Sequence, residues 1–129
     1  MSSEYMLFIR NRINHLDHLS PEQNEAFLKA CKDYIDQLMK EGKLKAAQPL
    51  VKAGKMVSRP DSNWTNGPYN ESNEVIVGYY HVLADSEDDA IAIARRNPEF
   101  EYTRTARIEV RPIKTKEEST GFKYPDKNK

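Results

Sequence analysis

One apolar run, Glu74–Ala84 (EVIVGYYHVLA), most constrains what this chain can fold into. Both phases of its alternation are rich in apolar residues, and one face is expected to carry Val75, Val77, Tyr79, His81 and Leu83. This composition predicts a central strand that is covered on both sides. The following Ser86-Glu87-Asp88-Asp89 predicts a helix start with a capping box, so strand and helix form one unit.

The remaining elements follow from periodicity and from cap signals. The first half of the chain predicts a strand at 4–10 that is apolar on both faces, a helix from the Ser20-Pro21-Glu22-Gln23 capping box to Gly42, and an edge strand at 43–51. A short ribbon at 55–59 and a loop at 61–73 precede the central strand. After it come a helix that stops at 97–98 and a strand at 106–113 that is apolar on one face only. This order predicts an α+β fold, a four-stranded antiparallel sheet with both helices on one face. No further helix is left to cover the other face, so we expect a homodimer.

The composition limits the function classes. The chain has 129 residues, which predicts one domain at 1–113 followed by a charged tail at 114–129, where Phe122 and Tyr124 are the side chains able to dock. Its 20 basic and 20 acidic residues balance, which argues against nucleic-acid or membrane partners. The single Cys31 excludes an intrachain disulfide and is expected in the core. With no signal peptide or membrane span apparent, we expect a soluble cytoplasmic protein.

Several segments together resemble a known family. In order they are EYMLFIR, SPEQ, GKL, TNGPYNES, VGYYHVLADSEDDAIAIARRNP and IEVRPI, and over residues 4–113 they resemble the YCII-related family, also called DGPF. The resemblance implies a ferredoxin-like βαββαβ domain that pairs as a dimeric α/β barrel with a cleft. Asn66 stands where the family motif has Asp, and Tyr69 where it has Phe. Short family members are assigned a His–Asp pair with the His on the first helix, which has no His here, so no acid/base role is carried over.

His81 is the candidate catalytic residue, because a histidine in an apolar strand is suited to act as a general base. The alternative is a neutral histidine whose nitrogens are satisfied at a dimer interface. The candidate ligand-binding residues are Tyr69, Tyr79, Asn66, Arg10 and Arg111. The arginines would suit a carboxylate group. Asn66-Gly67-Pro68 is also explained as a turn, because Asn and Gly tolerate positive φ.

Metal and cofactor sites are not predicted. His15, Asp17 and His18 offer three metal ligands, but they lie in a predicted surface connection without a further ligand at a recognisable spacing, so a solvated loop is favoured. Nothing in the sequence marks a haem or flavin site.

Two function classes remain open. The first is a homodimer that binds a small polar or aromatic molecule in a cleft, with acid/base chemistry by His81. The second is a non-catalytic regulatory or protein-interaction module. An enzyme requires a titratable group that is exposed in a pocket and has a partner within hydrogen-bond reach.

Overall fold

The computed structural model describes residues 3–125. Its elements are β1 (Ser3–Arg12), α1 (Pro21–Lys40), β2 (Leu44–Pro49), β3 (Lys55–Ser58), β4 (Thr65–Pro68), β5 (Glu74–Ala84), α2 (Glu87–Arg95), α3 (Glu99–Tyr102) and β6 (Arg107–Pro112), with a 3-10 turn at Pro60–Ser62. The main sheet has the order β2-β5-β1-β6, and its pairs are antiparallel. This is the predicted α+β, ferredoxin-like arrangement, with β3 and β4 added as a separate hairpin between β2 and β5.

The caps set the helix ends. At α1 the Gln23 amide donates to Ser20 Oγ at 3.1 Å, and the Ser20 amide donates to Gln23 Oε1 at 2.8 Å, which confirms the predicted capping box. Gly42 follows the helix with φ of 71°, a conformation that favours glycine. At α2 the box is half formed: Ser86 Oγ accepts from the Asp89 amide, but the Asp89 carboxylate accepts from the Asp85 amide instead.

Both long helices cover one face of the sheet. The core joins β1 and β5 to α1 and α2, and its buried members include Tyr5, Leu7, Tyr34, Leu38, Val82 and Ile93. Leu7 and Leu38 are fully buried, so water does not reach the centre of the helix-sheet contact at these two side chains. No helix within residues 3–125 is long and apolar enough to cross a membrane.

A β-bulge in β5 changes which residues share a face. Ile9 pairs with Gly78 and Arg10 pairs with Ile76, so Val77 is an extra residue on β5. Because a bulge shifts the alternation by one position, Val75 is buried on the helix side and is not on the face of His81. The sequence prediction that Val75 and His81 share one face is therefore wrong.

The segment predicted as a loop at 61–73 contains a strand. Thr65–Pro68 pairs with Lys55–Ser58, and Asn66 lies opposite Val57. The chain reverses at Asp61 and Ser62, which have φ of 50° and 68°, whereas neither Asn66 nor Gly67 has a positive φ. The turn assigned to Asn66-Gly67-Pro68 is wrong, because strand pairing with β3 fixes these residues in an extended conformation.

The described part of the C-terminal tail folds on itself. Lys116 and Lys123 form an isolated bridge, and the rings of Phe122 and Tyr124 meet edge to face at 5.2 Å. Both rings remain exposed, so they contact each other rather than the core. Residues 126–129 of the predicted tail lie outside the described residues.

Replacing Leu38 tests the helix-sheet core. Leu38→Ala should lower the free energy of unfolding by about 2–5 kcal/mol, because a fully buried leucine leaves a cavity. Leu28→Ala, on the same helix but 58% exposed, should change it by about 0.5 kcal/mol or less. Urea unfolding followed by circular dichroism measures both variants, and equal losses would contradict the assigned core.

Candidate functional site

A cavity of about 280 Å³ lies between α1 and the sheet, and we call it the α1 pocket. Its walls are mainly apolar, with side chains from α1 (Phe27, Ile35), β2 (Ala47) and β5 (Val75, Val77). Polar residues also line it, and they include His15, Asn97, Glu99, Tyr69 and Tyr80. An apolar cavity with a few polar groups is the usual form of a small-molecule site.

Asn11 organises the polar residues behind this pocket. It is fully buried at the end of β1, and its Nδ2 donates to Glu99 Oε2 at 3.0 Å and to Thr103 Oγ1 at 2.9 Å. Its Oδ1 accepts from the Arg12 amide at 2.9 Å and from Thr105 Oγ1 at 2.6 Å. The Arg12 amide can only donate, so the side-chain atom of Asn11 that faces it must be the oxygen, Oδ1. The orientation of the Asn11 amide is therefore fixed, and Nδ2 must face Glu99.

His15 contacts the same carboxylate. Its Nδ1 lies 2.9 Å from the carbonyl oxygen of Arg12, and its Nε2 lies 3.4 Å from Glu99 Oε2. A carbonyl oxygen only accepts, so Nδ1 carries a proton. A favourable contact at Nε2 then requires one more proton, held by either the imidazole or the carboxylate.

The predicted solvated loop is exposed at Asp17 and His18 but not at His15. Its side chain is only 11% exposed, and that of Glu99 is 5% exposed. Consecutive tight turns explain this burial, because the amide of His15 donates to the carbonyl of Arg12 and that of Asp17 to Asn14, which folds the connection back toward β1.

Glu99 keeps one carboxylate oxygen available. Asn11 and His15 both contact Oε2, and Oε1 makes no hydrogen bond within the described part of the chain. Every enclosed side-chain nitrogen or oxygen among residues 3–125 has a partner, so Oε1 keeps some accessible surface. Glu99 is also one of the residues that line the α1 pocket.

Two further titratable groups of the pocket are held in their neutral forms. Burial raises the pKa of the Cys31 thiol to about 11, and the charge of Glu99 adds to this. Burial also raises the pKa of Tyr80 well above its usual value, and the nearby Asn97 side chain offsets only a small part of this rise. Both groups therefore offer neutral donors to a ligand at physiological pH.

The face of the sheet opposite the helices carries most of the predicted site residues. We call it the helix-free face, and it consists of Glu4, Met6, Phe8, Arg10, Tyr79, His81, Leu83, Glu109 and Arg111. The register supports this grouping, because Met6 pairs with His81 and Arg111, and Phe8 pairs with Tyr79 and Glu109.

Charged groups on the helix-free face are already paired. His81 Nε2 lies 2.7 Å from Glu4 Oε1, so the predicted catalytic histidine has a partner within hydrogen-bond reach. Arg10 donates to Glu109 at 2.8 Å and Arg111 donates to it at 3.0 Å. Hydrogen bonds from these two arginines hold the pKa of the Glu109 carboxyl below its usual value.

The structure separates the predicted residues into three places. Tyr69 lines the α1 pocket, and His81 lies on the helix-free face outside it. Asn66 lies on the exposed hairpin, paired with Val57. Tyr69 and His81 are therefore not brought together within one chain.

Sequence reasoning missed Glu99 and Asn11. One signal was available for Asn11, since it continues the buried phase of β1 after Tyr5, Leu7 and Ile9. A polar residue in that phase indicates a buried hydrogen-bond network. No local signal identified Glu99, because its partners Asn11 and His15 are more than 80 positions away in the sequence.

The fold and the pocket define a ferredoxin-like α+β domain with a candidate small-molecule site beneath α1. The YCII-related domain model matches residues 3–115, so the chain belongs to the YCII-related family. This confirms the resemblance found in the sequence. No curated protein gave a match to the chain.

Alkylation of Cys31 tests the electrostatics of the pocket. At about pH 7.5 iodoacetamide should modify the folded chain about 100-fold more slowly than the urea-unfolded chain, because raising the pKa from 9.0 to about 11 lowers the thiolate fraction by that factor. The folded rate should keep rising up to about pH 11, whereas the unfolded rate should level off near pH 9. Mass spectrometry measures both rates, and similar pH profiles would contradict the assignment.

Proposed function

We propose that this domain works as a homodimer that binds a small molecule, with an aromatic or other flat apolar body and a polar group, in the α1 pocket. The observation that carries the proposal is the cavity of about 280 Å³, where apolar walls surround a cluster of buried polar side chains. An apolar cavity of about 150 Å³ is large enough for benzene, so this pocket has room for one or two rings.

The polar cluster supports a ligand with hydrogen-bonding capacity. Glu99 Oε1 has no hydrogen-bond donor among residues 3–125, while the Cys31 thiol and the Tyr80 hydroxyl are neutral. Because little water competes inside an apolar pocket, a hydrogen bond to any of these groups would discriminate strongly between ligands.

The homodimer is supported by the helix-free face. Met6, Phe8, Tyr79 and Leu83 are only partly buried there, and no helix of the described chain covers them. A second copy packed sheet to sheet would bury these side chains, in agreement with the dimeric barrel that the family resemblance implies. His81 and its partner Glu4 would then lie at the interface, either as acid/base residues of a cleft between the sheets or as a satisfied interface pair.

A non-catalytic interaction module is the second candidate. The observation in its favour is the β3–β4 hairpin with its flanking loop, whose exposed apolar side chains include Met56, Val57 and Trp64, the last 70% exposed. Exposed apolar patches of this kind are typical of protein contact surfaces. This function predicts that the α1 pocket has no role and that removing the hairpin side chains abolishes partner binding.

Filling the pocket tests the ligand site. Indole should raise the melting temperature of the native protein in a concentration-dependent way, because a ligand that binds only the folded state stabilises it. Ala47→Leu places extra volume in the pocket and should reduce the shift at a fixed indole concentration by at least about threefold. Ala92→Leu, on the exposed side of α2, is the matched control and should leave the shift unchanged. An equal shift in both variants would place indole elsewhere.

A charge on the helix-free face tests the dimer. Sedimentation equilibrium of the native protein should give twice the chain mass. Phe8→Lys should shift it to one chain mass, because the added ammonium would lose its hydration beside Glu109, whose carboxylate Arg10 and Arg111 already hold. Phe100→Lys changes an exposed phenylalanine away from this face and should leave the dimer intact. A native protein that sediments as a monomer at high micromolar concentration would rule out the dimer.

A further inference from the structure

We propose that Glu99 is a general base of the α1 pocket, taking a proton on Oε1 from a polarised C–H or O–H group of a small aromatic ligand. This inference rests on the proposed function, because it requires that a ligand enter the pocket. It assigns the chemistry to a residue on the helix side of the sheet, away from His81.

The first support is the unequal use of the two carboxylate oxygens. Oε2 receives Asn11 Nδ2 at 3.0 Å and faces His15 Nε2 at 3.4 Å. Oε1 has no partner within residues 3–125 and keeps some accessible surface, on a residue that lines the α1 pocket. A carboxylate with a purely structural role would be expected to satisfy both oxygens when its side chain is 5% exposed.

The second support is the rigidity of the carboxylate. The Glu99 amide donates to Asn97 Oδ1 at 2.8 Å, and the Glu99 carbonyl accepts from Thr103 Oγ1 at 3.2 Å. The backbone is therefore held on both sides of the residue while Asn11 holds the side chain. A base that is already positioned loses little entropy when a ligand binds, which favours proton transfer.

The third support is the position of His15 beside the carboxylate. His15 borders the α1 pocket and also a second, polar cleft lined by Asp17, His18 and Arg104. With the proton of the pair on the imidazole, Glu99 is a carboxylate that can take a proton on Oε1, and it gives that proton to water in the pocket after the product has left. His15 is thus a positioning residue, whereas Glu99 is the group that touches the ligand.

The probe 5-nitrobenzisoxazole tests this step, since its fused five- and six-membered rings match those of indole and it reacts by loss of one proton. The base removes the ring C–H proton, the C–H electron pair forms the nitrile, and the N–O bond breaks to leave a coloured phenolate. No oxidant or cofactor is needed. The native protein should accelerate this elimination above the buffer rate, with saturation.

Three variants isolate the role of Glu99. Glu99→Gln should lower kcat by about 100-fold or more, the usual contribution of a general base, while the shorter Glu99→Asp should keep an intermediate rate. His15→Gln should lower kcat with KM unchanged. Glu101→Gln, an exposed glutamate on the same helix, is the matched control and should match the native rate.

Protection of Cys31 separates the possible failures. Saturating probe should slow its alkylation in the native protein and in Glu99→Gln, because Cys31 lines the same pocket. If the probe protects Cys31 but native turnover equals the buffer rate, or Glu99→Gln reacts as fast as the native protein, the base assignment is wrong while the ligand site stands. If neither the probe nor indole protects Cys31, the ligand site itself is wrong and this inference falls with it.

Discussion

The hydrogen bonds of Asn11 connect the two ends of the domain. A buried side-chain amide that lacks hydrogen-bond partners lowers the stability of the folded state by about 1–3 kcal/mol. The position of Asn11 therefore requires donors and acceptors from other segments to lie beside it. Asn11 brings Glu99, Thr103 and Thr105 onto the end of β1 and uses both its donors and its acceptor oxygen in doing so. The segment after α2 is therefore fixed against the sheet, and it brings a carboxylate to the edge of an otherwise apolar pocket.

The two faces of the sheet have different physical roles. The helix side combines a dry core around Leu7 and Leu38 with the α1 pocket, where space and buried polar groups coexist. The helix-free face combines partly buried apolar side chains with ion pairs centred on Glu4 and Glu109. A surface with paired charges and partly exposed apolar side chains is suited to pack against a second copy of the chain, whereas a concave pocket is suited to bind a small molecule.

Local signals in the sequence predicted the fold well. The Ser20 and Gln23 side chains marked the start of α1, Gly42 marked its end, and two-sided apolar strands predicted the central pair β1 and β5. Local signals failed where a partner from elsewhere decides the conformation. The bulge at Val77 depends on pairing with β1, and Asn66 is extended because β3 lies beside it.

The candidate site was less predictable for the same reason. Tyr69 was identified, but His15 and Glu99 meet only after the β1–α1 connection folds back toward α3. Methyl-resolved NMR of the protein with bound indole tests the central claim, that the helix side of the sheet contains the ligand site. We expect nuclear Overhauser contacts from indole to the methyl groups of Ile35 and Ala47. Contacts to Leu83 on the helix-free face, without any to Ile35 or Ala47, would contradict it.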